Sequence, residues 1–184
     1  MESAITELIL IFAVVTIGLI IFYFAMAYFI PTMLFSIAEQ QAQNIASQLE
    51  LSVGPLIVNS NNQASLVVEA YIPSYSGNFS VIVFTIPYSE APVVGVVTPL
   101  YGNQGVSYLP NGKNAQLTSL NKIYDINGKL FYTSQTQAYE IPANIPVTIN
   151  INLPSSNYVA VIWLLYNSNG YWFRVAYTFT GEAK

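Results

Sequence analysis

Residues 8–30 form an unbroken apolar run of 23 residues without a charge, interrupted only by Thr16, Gly18, Tyr23 and Tyr28. At about 1.5 Å of rise per residue, a helix of that length covers roughly 34 Å, enough to cross a hydrocarbon core of about 30 Å. It is too long for a cleaved secretory core, and no Ala-x-Ala-like site comes after it. The rest of the chain reads as nearly all β. One greasy helix carrying one β domain describes either an anchored surface protein or a subunit whose helix leaves the membrane for the core of a filament.

Composition narrows the chemistry of the rest. The chain has 184 residues, with neither Cys nor His, so disulfides, thiol chemistry and the commonest general base and metal ligand are absent. Charged residues make up 8%, against roughly 25% in typical soluble proteins. The 14 tyrosines and the Asn, Ser and Thr supply polarity instead. Residues 1–51 hold four acids and no base, a charge of −4; residues 52–184 hold five of each and are neutral. With no basic patch, nucleic acid is not an expected partner. So few charges leave little to lose when pH changes, which is compatible with an acidic or harsh exterior and equally with ordinary compositional drift.

No Lys or Arg precedes Lys113, so charge bias does not orient the helix. The short N-terminal flank and long polar tail make N-inside, C-outside the simpler topology. A basic targeting region either precedes this numbering or is not used.

The spacing predicts one helix from about Ser3, an N-cap candidate, to about Leu51. Glu7 falls in its first turns, where the helix dipole favours an acid. Pro31 should kink it near residues 26–30, because proline lacks the donor and crowds the preceding turn. Beyond Pro31, Leu34, Ile37, Ala38, Ala42, Ile45, Ala46 and Leu49 recur at helical spacing opposite Glu39, Gln40, Gln43, Asn44, Ser47 and Glu50. The Val-Gly-Pro at 53–55 should end the helix. Two domains are expected, an N-terminal helix over 1–51 and a β domain over 52–184.

From there the period changes to two. Strands are expected at 63–72, 78–86, 93–97, 122–133, 147–153, 158–166 and 171–180, with one or two more in the loop-rich stretch 98–121. Asn127-Gly128 and Asn167-Ser-Asn-Gly170 are hairpin turns, since Asn and Gly tolerate positive φ. Residues 159–165 are apolar on nearly both faces and read as a central strand. Seven or more short antiparallel strands in about 130 residues suggest a sandwich, and the fold class is α+β.

Two stretches carry a family resemblance. Ser3-Ala-Ile-Thr-Glu-Leu-Ile-Leu10 is similar to the start of a mature pilin, where a Glu follows small or apolar residues. Glu39-Gln-Gln-Ala-Gln-Asn-Ile-Ala-Ser-Gln-Leu49 is similar to the post-membrane helix of archaellins. The chain thus resembles the archaeal type IV pilin and archaellin superfamily over residues 3–51, and by architecture alone beyond them. The basic residue that precedes the apolar run in prepilins is not present. The resemblance implies a long hydrophobic helix followed by an Ig-like β-sandwich, and no cofactor. It implies a subunit held in the membrane before assembly that then partners copies of itself in a surface filament for adhesion or cell contact. A pilin-like envelope anchor whose β domain binds the surface layer is the second implication.

Four residues stand out. Glu7 is costly near a membrane unless neutralised or paired; the resemblance implies that it meets a neighbouring subunit's amine and sets axial register. Its other reading is a headgroup-level acid favoured by the dipole. Gly18, among Phe22, Tyr23, Phe24, Tyr28 and Phe29, offers a gap for helix packing, and Pro31 shapes the helix. Asn78, in the sequon Asn78-Phe-Ser80, is a candidate glycan acceptor. Tyr75, Tyr101, Tyr108 and Tyr171 lie at turns, where they either touch surfaces or sugars or, the favoured reading, pack at the rim of the core. For catalysis only scattered carboxylates such as Glu69 and Glu90 are on offer, with no supporting spacing, so no enzyme and no metal site is expected.

Overall fold

The computed structural model describes residues 2–99 and 104–181. The chain divides into two compact units, Met1–Ala38 and Glu39–Lys184. It is an α+β protein, with a long N-terminal apolar helix followed by a mostly antiparallel β domain.

Helix α1 spans Glu2–Phe24, so Ser3 lies inside it rather than capping it. A five-residue π turn, Ala25–Phe29, comes next, and α2 runs Ile30–Gln48. The irregularity predicted for residues 26–30 is there, in the form of a widened turn. Pro31 cannot donate, and its ring crowds the carbonyl four residues back. The Ile30 N–H reaches the Ala25 carbonyl, five residues back, which opens the turn ahead of the ring.

The helix stops at Gln48, short of Leu51. The reason is tertiary: Glu50–Val53 forms β1, paired antiparallel with residues 68–71. Residues 53–55 therefore interrupt an edge strand instead of ending a helix. The Gly54 N–H still donates to the Val67 carbonyl at 2.8 Å; Pro55 has no donor, and pairing resumes at β2, Ile57–Val58.

The remaining strands are β3 (Gln63–Tyr71), β4 (Asn78–Pro87), β5 (Val106–Tyr108), β6 (Gln116–Leu120), β7 (Ile123–Asp125), β8 (Leu130–Tyr132), β9 (Thr136–Pro142), β10 (Val147–Asn152), β11 (Tyr158–Ser168) and β12 (Tyr171–Thr180). A five-stranded sheet has the order β1-β3-β10-β5, with β2 also on β3. A seven-stranded sheet has the order β6-β9-β4-β11-β12-β7-β8, antiparallel except for β12 with β7. The apolar stretch 159–165 is the middle strand of seven, as its composition predicts, and β4 and β11 are buried on both faces. β3 and β10 alternate buried and accessible, so their sheet keeps one face open.

The strand expected at 93–97 is not formed. Tyr88–Val93 is a 3₁₀ turn containing Pro92, and the Val96 N–H closes on the Val93 carbonyl at 2.9 Å. Ala91 and Val97 bury in a cluster with Ile82, Phe84, Ile86, Val159, Val161 and Trp163. The segment is worth more to the fold as a plug on that sheet face than as a further strand. Strands β5 and β6 occupy the loop-rich stretch, whereas β9 lies outside the expected strands; its place is decided by pairing with β4 and β6.

Both hairpin turns are as expected. Gly128 has φ 73°, and the Asp125 carboxylate accepts the N–H groups of Asn127 and Lys129, each at 2.9 Å. At β11–β12 the positive φ falls on Asn169 and Gly170, at 52° and 83°.

Candidate functional sites

The N-terminal unit presents its apolar surface almost without cover. From Ser3 to Ile37 every residue except Ala25 and Phe35 is exposed. Phe12 is 75% exposed and Phe29 is 68% exposed. No polar face exists on α1 to point at water. Two hydroxyls of the unit are tied down locally: Thr16 of α1 and Thr32 of α2 each donate to the carbonyl four residues back, Phe12 and Tyr28 respectively, at 2.8 Å. A helix satisfied in its own hydrogen bonds and apolar all round is suited to lipid or to other helices. It is long and apolar enough to cross a membrane.

Glu7 is exposed on α1, and Pro31 is exposed in the first turn of α2. Nothing lies within 4 Å of a Cβ built at Gly18. Among the described residues, therefore, no packing contact calls for a glycine there. These three residues are strung along one helix and do not converge on a site.

Asn78 begins β4, and its Nδ2, the atom a glycan would take, donates to Glu140 at 2.6 Å. Ser80 of the same sequon is 3% exposed, inside a strand paired on both sides. The sequon is legible in sequence, but its enclosure by β9 and β11 is a tertiary fact.

The tyrosines mostly pack. Tyr75 is half-buried, with ring centroids 5.3 Å from Phe79 and 6.3 Å from Tyr166. Tyr171 sits 6.0 Å from Tyr124. Tyr108 lines a groove, and Tyr101 lies outside the described residues. Glu69 is on β3 and Glu90 in the 3₁₀ turn. Among the described residues no group of three or more His, Cys, Asp or Glu could hold a metal.

Two features were missed. Arg174, on β12, is 8% exposed, with its guanidinium carbon 3.9, 4.5 and 5.0 Å from the ring centroids of Phe131, Tyr177 and Trp163. Burial pushes its pKa below the usual value, against smaller opposing effects of Tyr177 and Asp125. A lone Arg amid the aromatics of Tyr171-Trp-Phe-Arg174 was the available signal. The second is a groove of about 460 Å³ on the open face of the five-stranded sheet. Its signal was the Asn-Ile-Asn alternation at 150–152.

No protein-family model matches this chain, and no curated protein matches it.

Proposed function

We propose that the chain is a structural subunit of an extracellular archaeal type IV pilus-like filament. The apolar helix packs with those of neighbouring subunits in the filament core, and the β domain, an Ig-like sandwich in this reading, forms the outer surface for adhesion or cell contact. The observation that carries the reading is the exposed apolar surface from Ser3 to Ile37, joined to the resemblance of residues 3–10 and 39–49 to pilins and archaellins. Moving such a helix from lipid to protein gains interdigitation rather than hydrophobic transfer, so packing and any partner for Glu7 provide the drive. Asn78 is the residue we assign to an N-linked glycan. Because its amide is engaged and Ser80 is buried, that glycan is attached before the domain closes.

The second reading keeps the helix in the membrane and has the β domain bind the surface layer. One helix of spanning length among the described residues favours it. Negative-stain electron microscopy of the sheared surface fraction, with N-terminal mass spectrometry of this chain, separates the two. Thin filaments built of this chain support the first. A chain confined to membranes, with no filaments, overturns it in favour of the anchor.

A further inference from the structure

The open face of the five-stranded sheet carries a groove whose floor is built from β3 and β10 and whose sides are β2 and β5. Register places Ile57, Ser65, Asn150 and Val106 in one row across four strands, and Gln63 beside Asn152 in the next. At about 4.8 Å between strands, the row spans roughly 14 Å. No lining residue carries a charge: Asn59, Gln63, Gln104, Asn150 and Asn152 bring amides, Ser65 and Tyr108 hydroxyls, and Ile57 an apolar side chain that is 70% exposed.

These amides are oriented, and several are half-used. Ser65 Oγ donates to Asn150 Oδ1 at 2.8 Å, which fixes that amide and leaves its Nδ2 donors unspent. Asn59 Nδ2 donates to Gln63 Oε1 at 3.2 Å, leaving Gln63 Nε2. Gln104 Nε2 donates to Thr136 Oγ1 at 2.8 Å, leaving Gln104 Oε1 as an acceptor. A fixed planar donor set beside an acceptor, an aromatic ring and an apolar patch, with no net charge, complements one ligand chemistry. Vicinal hydroxyls donate and accept in pairs, and a sugar ring's C–H face packs on apolar surface.

We infer that this groove binds a neutral oligosaccharide of two or three residues. The inference goes beyond the filament reading and does not depend on it, because the groove lies wholly within the β domain. One such site binds weakly, since it is open and the hydroxyls exchange protein for water; in the proposed filament, repeated copies would raise avidity.

The test uses the full chain in a phosphocholine detergent, because a maltoside headgroup would compete. Saturation-transfer NMR is recorded with maltotriose, mannotriose and chitotriose, and with sialyllactose as a charged counterpart. At least one neutral trisaccharide is expected to show transfer at millimolar concentration. Asn150→Leu and Gln63→Met, both at exposed positions, are expected to weaken it about tenfold with unchanged thermal unfolding. Silence toward every neutral sugar, binding of sialyllactose alone, or equal binding by both variants overturns the proposal, whether or not filaments form.

Discussion

The guanidinium of Arg174 stands 3.9 Å from the ring centroid of Phe131, joining β12 to β8 across the edge of the seven-stranded sheet. Tyr177 and Trp163 complete the enclosure, and Nη1 is buried without a hydrogen-bond partner among the described residues. The cation thus gains from the rings and loses by desolvation and by an unmade bond. Arg174→Ala removes both the cation and the packing stem, and should destabilise by about 2 kcal/mol in denaturant unfolding. Arg174→Met keeps the stem and removes the buried charge, so it should cost less than about 1.5 kcal/mol. Equal losses in the two variants would show that the rings, not the stem, supply the stabilisation.

Asn144 clasps the turn after β3. Its Oδ1 accepts the Ile72 N–H and its Nδ2 donates to the Tyr75 carbonyl, each at 2.8 Å, while its own backbone has φ 61°. Asn144→Ala leaves two groups without partners and strains the backbone, an expected loss of about 3 kcal/mol. Asn144→Gly loses the same two hydrogen bonds without the strain and should lose less. Thermal and denaturant unfolding rank them; a Gly variant as unstable as Ala would discount the backbone contribution.

Gly18 separates folding from assembly. With nothing within 4 Å of its Cβ position, Gly18→Leu should leave the circular dichroism and melting of the β domain unchanged. In the filament reading the same change should sharply reduce filament yield by micrograph count. Normal filaments from this variant would remove Gly18 from the proposed core.

The acidic range is not where the tyrosines matter. Burial, aided by Tyr166, raises the pKa of Tyr75; burial raises Tyr132 against a hydrogen bond from Ser134; burial, aided by Tyr108, raises Tyr139. The fold therefore favours their neutral forms. That stabilisation is complete below the unfolded value of 10.0 and is lost as pH rises through the raised folded values. Unfolding free energy should fall above pH 10, and Tyr75→Phe should flatten the fall. An identical slope in the variant would exclude Tyr75 as a contributor.

Intact mass of surface-purified chain tests Asn78. Asn78→Gln should lose the mass of one glycan, and equal glycan mass on both chains would take the sequon out of use.

The features that the residues alone determined rest on short-range physics. The unbroken apolar stretch from Leu8 to Ile30 dictates a greasy helix suited to lipid or to other helices, because nothing on it can face water. Pro31 dictates where that helix becomes irregular, because a missing donor is a local fact. Asn127-Gly128 and Asn169-Gly170 dictate hairpins, because positive φ is a property of the residue. The apolar run 159–165 dictates a strand covered on both sides. Tertiary pairing decided the rest. It drew Glu50–Val53 out of helix and onto β3, turned 88–93 into a plug whose Ala91 joins the buried cluster, and inserted β9 between β4 and β6. It also assembled the Arg174 enclosure from three strands and the Ser65–Asn150 groove from four. Those residues are separated by tens of positions, and their chemistry acquires meaning only when sheet register sets them side by side.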